Sequence, residues 1–397
     1  MKLPAFNLLL LSLIFAVCEF AQPQETPAPA LKMQETGAYS TVERTDLRRY
    51  DNGKYTGLMR REVRGTIIPG RLSSGTLAYR GNFFVLESTL RDLRHSAQAL
   101  DAVFPVSFWQ DEEGALIFEN DRGFPKLRGF PYLPPDKKTP GSKWQAPGIL
   151  AADPLNTGEP VLIPFIAEYE YRQTEEYGGR AVHRVTARYA SRYEAENPEA
   201  KGIVRVQGNH SVDILIRAED RLPVFMRDSM DETYFMAGGS KLRFAGFTLT
   251  FGTAIVPLDR GEMIASLDDK GLKKSDIDIT TVSEGIRLSV KDIRFAPDSA
   301  EFLPAERARL DLIGETLRQI PNRTFLVEGH TAAIGRPAAE LELSVERAKR
   351  MIDEMQRRGI AADRFIYKGW GGTKPIGDNA TETGRSINRR VEITILE

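Results

Sequence analysis

Alternation of apolar and polar residues dominates the middle of the chain. Phe165, Ala167, Tyr169 and Tyr171 alternate with Ile166, Glu168, Glu170 and Arg172, and Val185, Ala187, Tyr189 and Tyr193 alternate with Arg184, Arg188 and Arg192. A period of two sends successive side chains to opposite faces of a strand, so residues 161–255 are predicted to form antiparallel sheet with one wet face. Tyr177-Gly178-Gly179, Gly208-Asn209 and Gly238-Gly239 supply the turns. A transmembrane barrel would need a continuous lipid-facing band. Residues 203–216 and 224–234 mix Arg, Asp and Glu onto both faces, which favours a soluble sheet or small barrel. Upstream, residues 75–86 and 115–119 read as strands, while Leu90, Leu93, Ala97 and Leu100 recur at helical spacing within 88–102. The passage holding Pro125, Pro131, Pro134, Pro135, Pro140 and Pro147 reads as a boundary or a long ordered loop.

The period changes toward the C-terminus. Ile286, Leu288 and Val290 mark a strand over 286–295, and residues 297–300 a turn. Leu310, Ile313 and Leu317 mark a helix over 303–320 that ends before Pro321. A strand at 324–328 leads through a loop from Gly329 to a helix over 337–358, with Leu343, Ala348, Met351, Ile352 and Met355 as its apolar stripe and Gly359 as its C-terminal stop. Strands at 364–367 and 391–396 flank a polar loop and a short helical turn at 381–387. The order strand, helix, strand, helix, strand, short helix, strand describes an α+β layer, helices packed on one mixed sheet.

Length and composition refine this picture. At 397 residues, with 41% hydrophobic and 27% charged residues, the chain should fold as two or three domains. A formal charge of −1 argues against a nucleic-acid partner, which would require a concentrated basic excess. Lys2 followed by an apolar stretch over 8–17 reads as a secretory signal at 1–21, too short to span a membrane. Residues 22–36, rich in Pro and small or polar residues, read as a flexible tether. Cys18, the only cysteine, has two readings: a lipidated residue behind Phe15-Ala16-Val17, or a residue beside an ordinary cleavage site. Either way the chain has no disulfide within it. The domains are then 37–130 (mixed, β-rich), 131–258 (antiparallel β), a linker at 259–283, and 284–397. His95, His183, His210 and His330 are scattered, without Cys or carboxylates at ligand spacing, and no nucleophile elbow or phosphate loop is present. No metal, cofactor or catalytic residue is expected.

The most specific signal lies in the last domain. Phe295 with Ser299-Ala300, Gly329-His330-Thr331, Leu343-Ser344-x-x-Arg347-Ala348, Gly359-Ile360, Gly369-x-Gly371, Pro375, Asn379, Thr381-x-x-Gly384-Arg385 and Asn388-Arg389-Arg390-Val391-Glu392 resemble the C-terminal domain of the OmpA family over about residues 286–397. The resemblance implies a non-enzymatic protein of the outer membrane or periplasm that docks the peptidoglycan stem peptide, especially its diaminopimelate; the sheet over 161–255, long and without a catalytic constellation, is the candidate for binding a second partner, an outer-membrane or periplasmic protein. The resemblance places the ligand at Thr331, Ala332, Glu340, Leu343, Ser344, Arg347, Asn388 and Arg389. In the family an Asp after Gly-His-Thr takes the ammonium, and the Arg matched by Arg347 forks onto a carboxylate. Here that Asp is Ala332, and Glu340 stands where Asn is expected. Three accounts follow: binding is weak or lost and the domain serves as an interaction scaffold; the ligand carries another diamino acid; or Glu340 supplies the missing charge.

Overall fold

The computed structural model describes residues 38–71, 77–88, 97–110, 116–134, 136, 138–155, 157–196, 202–255, 258–291, 293, 295 and 300–397. The expected signal, tether and Cys18 lie outside these residues, as do Leu90 and Leu93 of the expected helix and most of the turn at 297–300.

The first part of the chain forms β1 (Ala38–Asp51), β2 (Lys54–Arg71), β3 (Leu77–Ser88), β4 (Gln98–Ala99), β5 (Ala102–Gln110), β6 (Leu116–Phe118) and β7 (Leu127–Arg128). It continues with β8 (Lys143–Ala152), β9 (Val161–Tyr177), β10 (Arg180–Glu194), β11 (Ile203–Arg217), β12 (Pro223–Met236) and β13 (Lys241–Ile255). All but β4 join one antiparallel sheet of twelve strands in the order β6-β5-β3-β2-β1-β13-β12-β11-β10-β9-β8-β7. Strands on both sides of residue 130, where the sequence divides by its proline content, therefore share a single sheet. They do so because β1 pairs with β13 along its whole length, from Ala38↔Ile255 to Asp51↔Leu242.

The alternation expected over β9 to β11 is present. Ile163, Phe165, Ala167, Tyr169, Val185, Ala187, Val206, Val212 and Ile214 are buried. Glu168, Arg172, Arg188, Gln207, Asn209, Ser211 and Asp213 face outward and are exposed. The proline-rich passage crosses the buried face. Phe124 stacks on Phe83 with ring centroids 4.9 Å apart, and Phe130 packs edge-on against Phe165 and Tyr189. This segment is a plug.

Gly208-Asn209 is not a turn: both residues lie inside β11. A Cβ at Gly208 would fall 2.4 Å from Glu232 Cγ and 2.5 Å from Ser191 Oγ, so the glycine makes room for a buried polar cluster. In that cluster His210 Nδ1 lies 2.8 Å from Asp228 Oδ2 and Nε2 lies 3.3 Å from Glu232 Oε1. Tyr189 stacks on the imidazole at 4.2 Å, and Tyr234 donates to Glu232 at 2.6 Å. Pairing across strands brings together groups that sequence spacing kept apart.

The C-terminal domain begins earlier than expected. Residues 259–283 are not a linker but α1 (Arg260–Asp269) and β14 (Ile277–Val282), with Leu267, Leu272 and Ile277 in the core and Asp259 capping α1 at Glu262 N, 2.9 Å away. Then follow β15 (Gly285–Val290), α2 (Arg307–Arg318), β16 (Phe325–Gly329), α3 (Pro337–Arg357), β17 (Phe365–Gly369), α4 (Glu382–Asn388) and β18 (Val391–Leu396). The mixed sheet has the order β14-β15-β18-β16-β17-β4, parallel at β16/β17 and β17/β4. One face receives α2 and α3 through Leu310, Ile313, Leu317, Met351, Ile352 and Met355.

The outer strand corrects the last part, 97–102, of the helix expected over 88–102; residues 89–96 lie outside the described residues. Gln98 and Ala99 pair in parallel with Ile366 and Tyr367. Leu100 packs with Phe84, Leu86, Leu326, Ile366 and Leu396 between the two sheets. Apolar spacing that mimics a helix serves here to fill a seam. The tertiary contact outweighs the local pattern. Arg64 Nη1 donating to Asp363 O (2.9 Å) and Lys368 Nζ to Asp101 O (2.9 Å) border the same contact.

Burial by itself would lower the pKa of His210, but hydrogen bonds to Asp228 and Glu232 reverse this and raise it to about 9. A histidine whose pKa is raised on folding contributes stability that is complete below its unfolded pKa of about 6.5 and is lost as pH climbs through the folded value. The expected outcome is a loss of about 3 kcal/mol between pH 6.5 and 9.5. Urea titrations followed by near-ultraviolet circular dichroism measure it; an unchanging midpoint across that window would refute the charged cluster.

Candidate functional site

The loops at the C-terminal ends of β16 and β17 meet the first turns of α3. Gly329 and Gly369 allow the approach: a Cβ at Gly329 would sit 2.0 Å from Ser344 O, and one at Gly369 would sit 2.5 Å from Ser344 Oγ. Close contact with the helix, rather than an unusual backbone angle, fixes both glycines. Thr331 N then donates to Gly371 O (3.0 Å), Gly371 N to Ser344 Oγ (2.9 Å), and Ser344 Oγ to Leu341 O (2.7 Å). Ser344 and Arg347 are three residues apart on α3 and share a face. Thr331, Ser344 and Arg347 are thus drawn to one side of the domain.

Of the residues expected to hold ligand, Ser344 and Asn388 are enclosed by the protein itself. Both are 0% exposed. Asn388 Oδ1 accepts from Ile376 N and Gly377 N, and Nδ2 donates to Gly377 O and Asn379 Oδ1, all at 2.8 Å. Two donors and two acceptor sites exhaust a side-chain amide. Asn388 is a loop clip, extended to the neighbouring loop by Ala333 N donating to Asn379 Oδ1 at 3.1 Å.

Glu340 is also a loop residue. Its Oε1 accepts from Ile334 N (2.7 Å) and Arg336 N (2.9 Å), so one carboxylate oxygen secures the turn into α3. The carboxylate reaches back to backbone amides before the helix as in a capping box. Leu343 is half-buried. Arg389 ends α4 and donates to Glu382 Oε1 at 2.8 Å on the surface.

The remaining group is different in kind. Arg347 is only 6% exposed, and its guanidinium lies over the Phe295 ring at 4.6 Å. Phe295 is in turn stacked on Phe302 with centroids 4.6 Å apart. A planar cation on an aromatic face is held in orientation by that stacking. Ala332 is buried and brings no charge. Thr331 Oγ1 and His330 Nδ1, also buried, make no hydrogen bond within the described residues. Native interiors leave few polar atoms in that state, so each demands an explanation.

Behind the loops lies a charged layer that sequence spacing did not single out. Glu392 Oε2 is 3.5 Å from His330 Nε2 and 3.2 Å from Arg287 Nη1, and Arg390 Nε donates to Glu392 Oε1 at 2.7 Å. Burial alone would raise the Glu392 pKa; His330 and Arg390 overcome this and hold it at about 2. Trp370 Nε1 donates to Glu328 Oε1 (2.7 Å), while Lys374 lies over the indole at 4.4 Å. The alternation of β18, apolar Val391, Ile393 and Ile395 against Glu392, was the available signal. Among the described residues no group of His, Cys, Asp and Glu could hold a metal ion.

Residues 294–389 match the profile of the OmpA family, and the C-terminal part of the chain is an OmpA-family domain. The chain is 36% identical over 103 residues to the peptidoglycan-binding protein ArfA of Mycobacterium tuberculosis, across 26% of this chain and 32% of that protein. It is 33% identical over 114 residues to outer membrane porin F of Pseudomonas fluorescens, across 29% and 35%. With the probable lipoprotein YiaD of Escherichia coli it shares 30% over 132 residues, across 33% and 60%. The chain thus spans about a third of the length of the first of these relatives.

Replacing Asn388 by Ala strands two amide donors and a carbonyl in a closed loop. The expected cost is about 3 kcal/mol of stability, with accelerated hydrogen exchange at Ile376 and Gly377. Wild-type exchange rates at both amides would rule out the clip.

Proposed function

We propose that the protein is a non-enzymatic component of the bacterial cell envelope whose C-terminal domain associates with the stem peptide of peptidoglycan. The observation that carries this reading is Arg347, fixed on Phe295 within the family-matched segment and beside a loop with an unpartnered buried hydroxyl at Thr331. The names of ArfA, porin F and YiaD support wall binding and an outer-membrane location. A stem-peptide carboxylate would receive two parallel hydrogen bonds from the guanidinium, and Thr331 Oγ1 would find its missing partner.

Ala332 leaves the ammonium of a diamino acid without its counter-ion, so the affinity is modest. Glu340 does not replace that charge freely, since Oε1 is engaged by two amides. A second reading, a protein-interaction scaffold that has given up the wall, is favoured by the same Ala332 and by the closure of Ser344 and Asn388. In both readings residues 1–21 direct secretion, residues 22–36 form a tether, and the strand-rich part engages another envelope component. Mass spectrometry of the mature N-terminus would decide whether Cys18 is lipidated.

Co-sedimentation with purified peptidoglycan separates the two readings. Binding by wild type, weakened at least tenfold by Arg347→Ala, is the expected result. Ala332→Asp should strengthen binding ten- to a hundredfold, the equivalent of a charge-assisted hydrogen bond of about 1.5–3 kcal/mol. Absence of wild-type co-sedimentation would leave the scaffold reading standing.

A further inference from the structure

The strand-rich part holds a cavity that the wall-binding reading does not use. It has a volume of about 550 Å³ and lies between the buried face of the sheet and the plug segment after β6. Its walls come from β1, β2, β3, β12 and β13 on one side and residues 124–133 on the other, with the turn at 220–223 at one end. Val63, Ile67, Tyr79, Phe83, Phe124 and Met226 give it an apolar character. Native interiors contain few voids much larger than a water molecule, and an apolar void binds water poorly. Ligand sites, by contrast, are apolar cavities of about 300–1,000 Å³ with a few placed polar groups.

The polar groups here are few and unequal in sign. Lys126, Arg128 and Arg221 line the cavity together with two acids, Glu43 and Asp220. Both acids have internal cations: Lys126 Nζ is 3.0 Å from Glu43 Oε1, and Arg217 pairs with Asp220. Of these cations only Lys126 belongs to the lining, and Arg128 is itself taken up by Asp121 outside it, at 2.6 Å, so the lining cation left without a paired acid is Arg221. Lys126 also borders a second cavity of about 110 Å³, whose walls include His210, Asp228 and Glu232. At Lys126 the large cavity therefore adjoins the buried polar cluster.

We propose that this cavity binds a single-chain amphiphile, an acyl chain lying between the sheet and the plug with its anionic headgroup near Arg221. An extended hydrocarbon suits a chamber walled by strands on one side and by the rings of the plug on the other. A carboxylate or phosphate head suits the guanidinium of Arg221. Outside the two-residue strand β7 the plug is held by packing of Phe124 and Phe130, so displacement of those rings admits a chain while β7 stays paired with β8.

The test uses the purified full chain after delipidation and the fluorescent fatty acid 11-(dansylamino)undecanoic acid. Saturable binding of one probe per chain, displaced by palmitate, is the expected result. Ile67→Trp and Thr250→Phe each fill the cavity from a different strand and should weaken binding at least tenfold. Arg221→Gln should weaken palmitate while leaving hexadecanol, which lacks the charge, unaffected. Cooperative thermal unfolding identifies which variants are folded, and the two filling variants act as independent checks. Displacement by lysophosphatidylglycerol at lower concentration than palmitate would assign a phosphate head, and the reverse order a carboxylate. Absence of saturable binding by wild type, or undiminished binding by folded Ile67→Trp and Thr250→Phe, overturns the proposal. Neither outcome bears on sedimentation with the wall.

Discussion

The pairing of β1 with β13 is the constraint on which the first two-thirds of the molecule depends. Fourteen residues near one end of the strand-rich region lie against fourteen at the other, Asp51↔Leu242 being the innermost pair. Without this pairing β1, β2, β3 and β5 would form a small sheet apart from the meander of β8 to β13, and each would leave an apolar face wet. With it, the two apolar faces become one continuous wall. The plug, the His210 cluster and the large cavity all lie against that wall, and strands from both halves contribute to each cavity. Contacts so distant in sequence form late and slowly, since the intervening chain must be ordered before they repay it.

The C-terminal domain is organised on a different principle. Its loops are held by side chains that bond backbone: Ser344, Glu340 and Asn388 spend their hydrogen bonds on loop backbones, and Gly329 and Gly369 allow the loops to touch α3. A rigid loop lowers the ordering cost of binding. This framework is retained although Ala332 removes a charge from it.

Much of the C-terminal domain was legible because its helices carry a single apolar stripe. Met351, Ile352 and Met355 face the core as their spacing predicts, and β18 spans Val391–Leu396 as read from its alternation. α1 was hidden because Leu267 is its only buried residue, so its apolar periodicity is weak. Leu100 misled because it fills a seam between sheets, where spacing along the chain is not governed by one element's own period. Gly208 misled because glycine serves close packing as well as turns, and only the partner strand bearing Glu232 distinguishes the two. At the candidate site, Arg347 was recognisable from its motif. The engagement of Ser344 and Asn388 was not, because it depends on loops whose approach no single segment encodes.

The short strand β4 carries a consequence for how the domain can be handled. It is donated from far upstream and covers the free margin of β17, while Leu100 beside it shields Leu326 and Ile366. A fragment cut just before α1 would lose that donated cover. It would present an open row of amides and carbonyls next to a bare apolar strip, a template on which a second copy could add its own strand. The OmpA-family domain is, in this protein, finished by its neighbour.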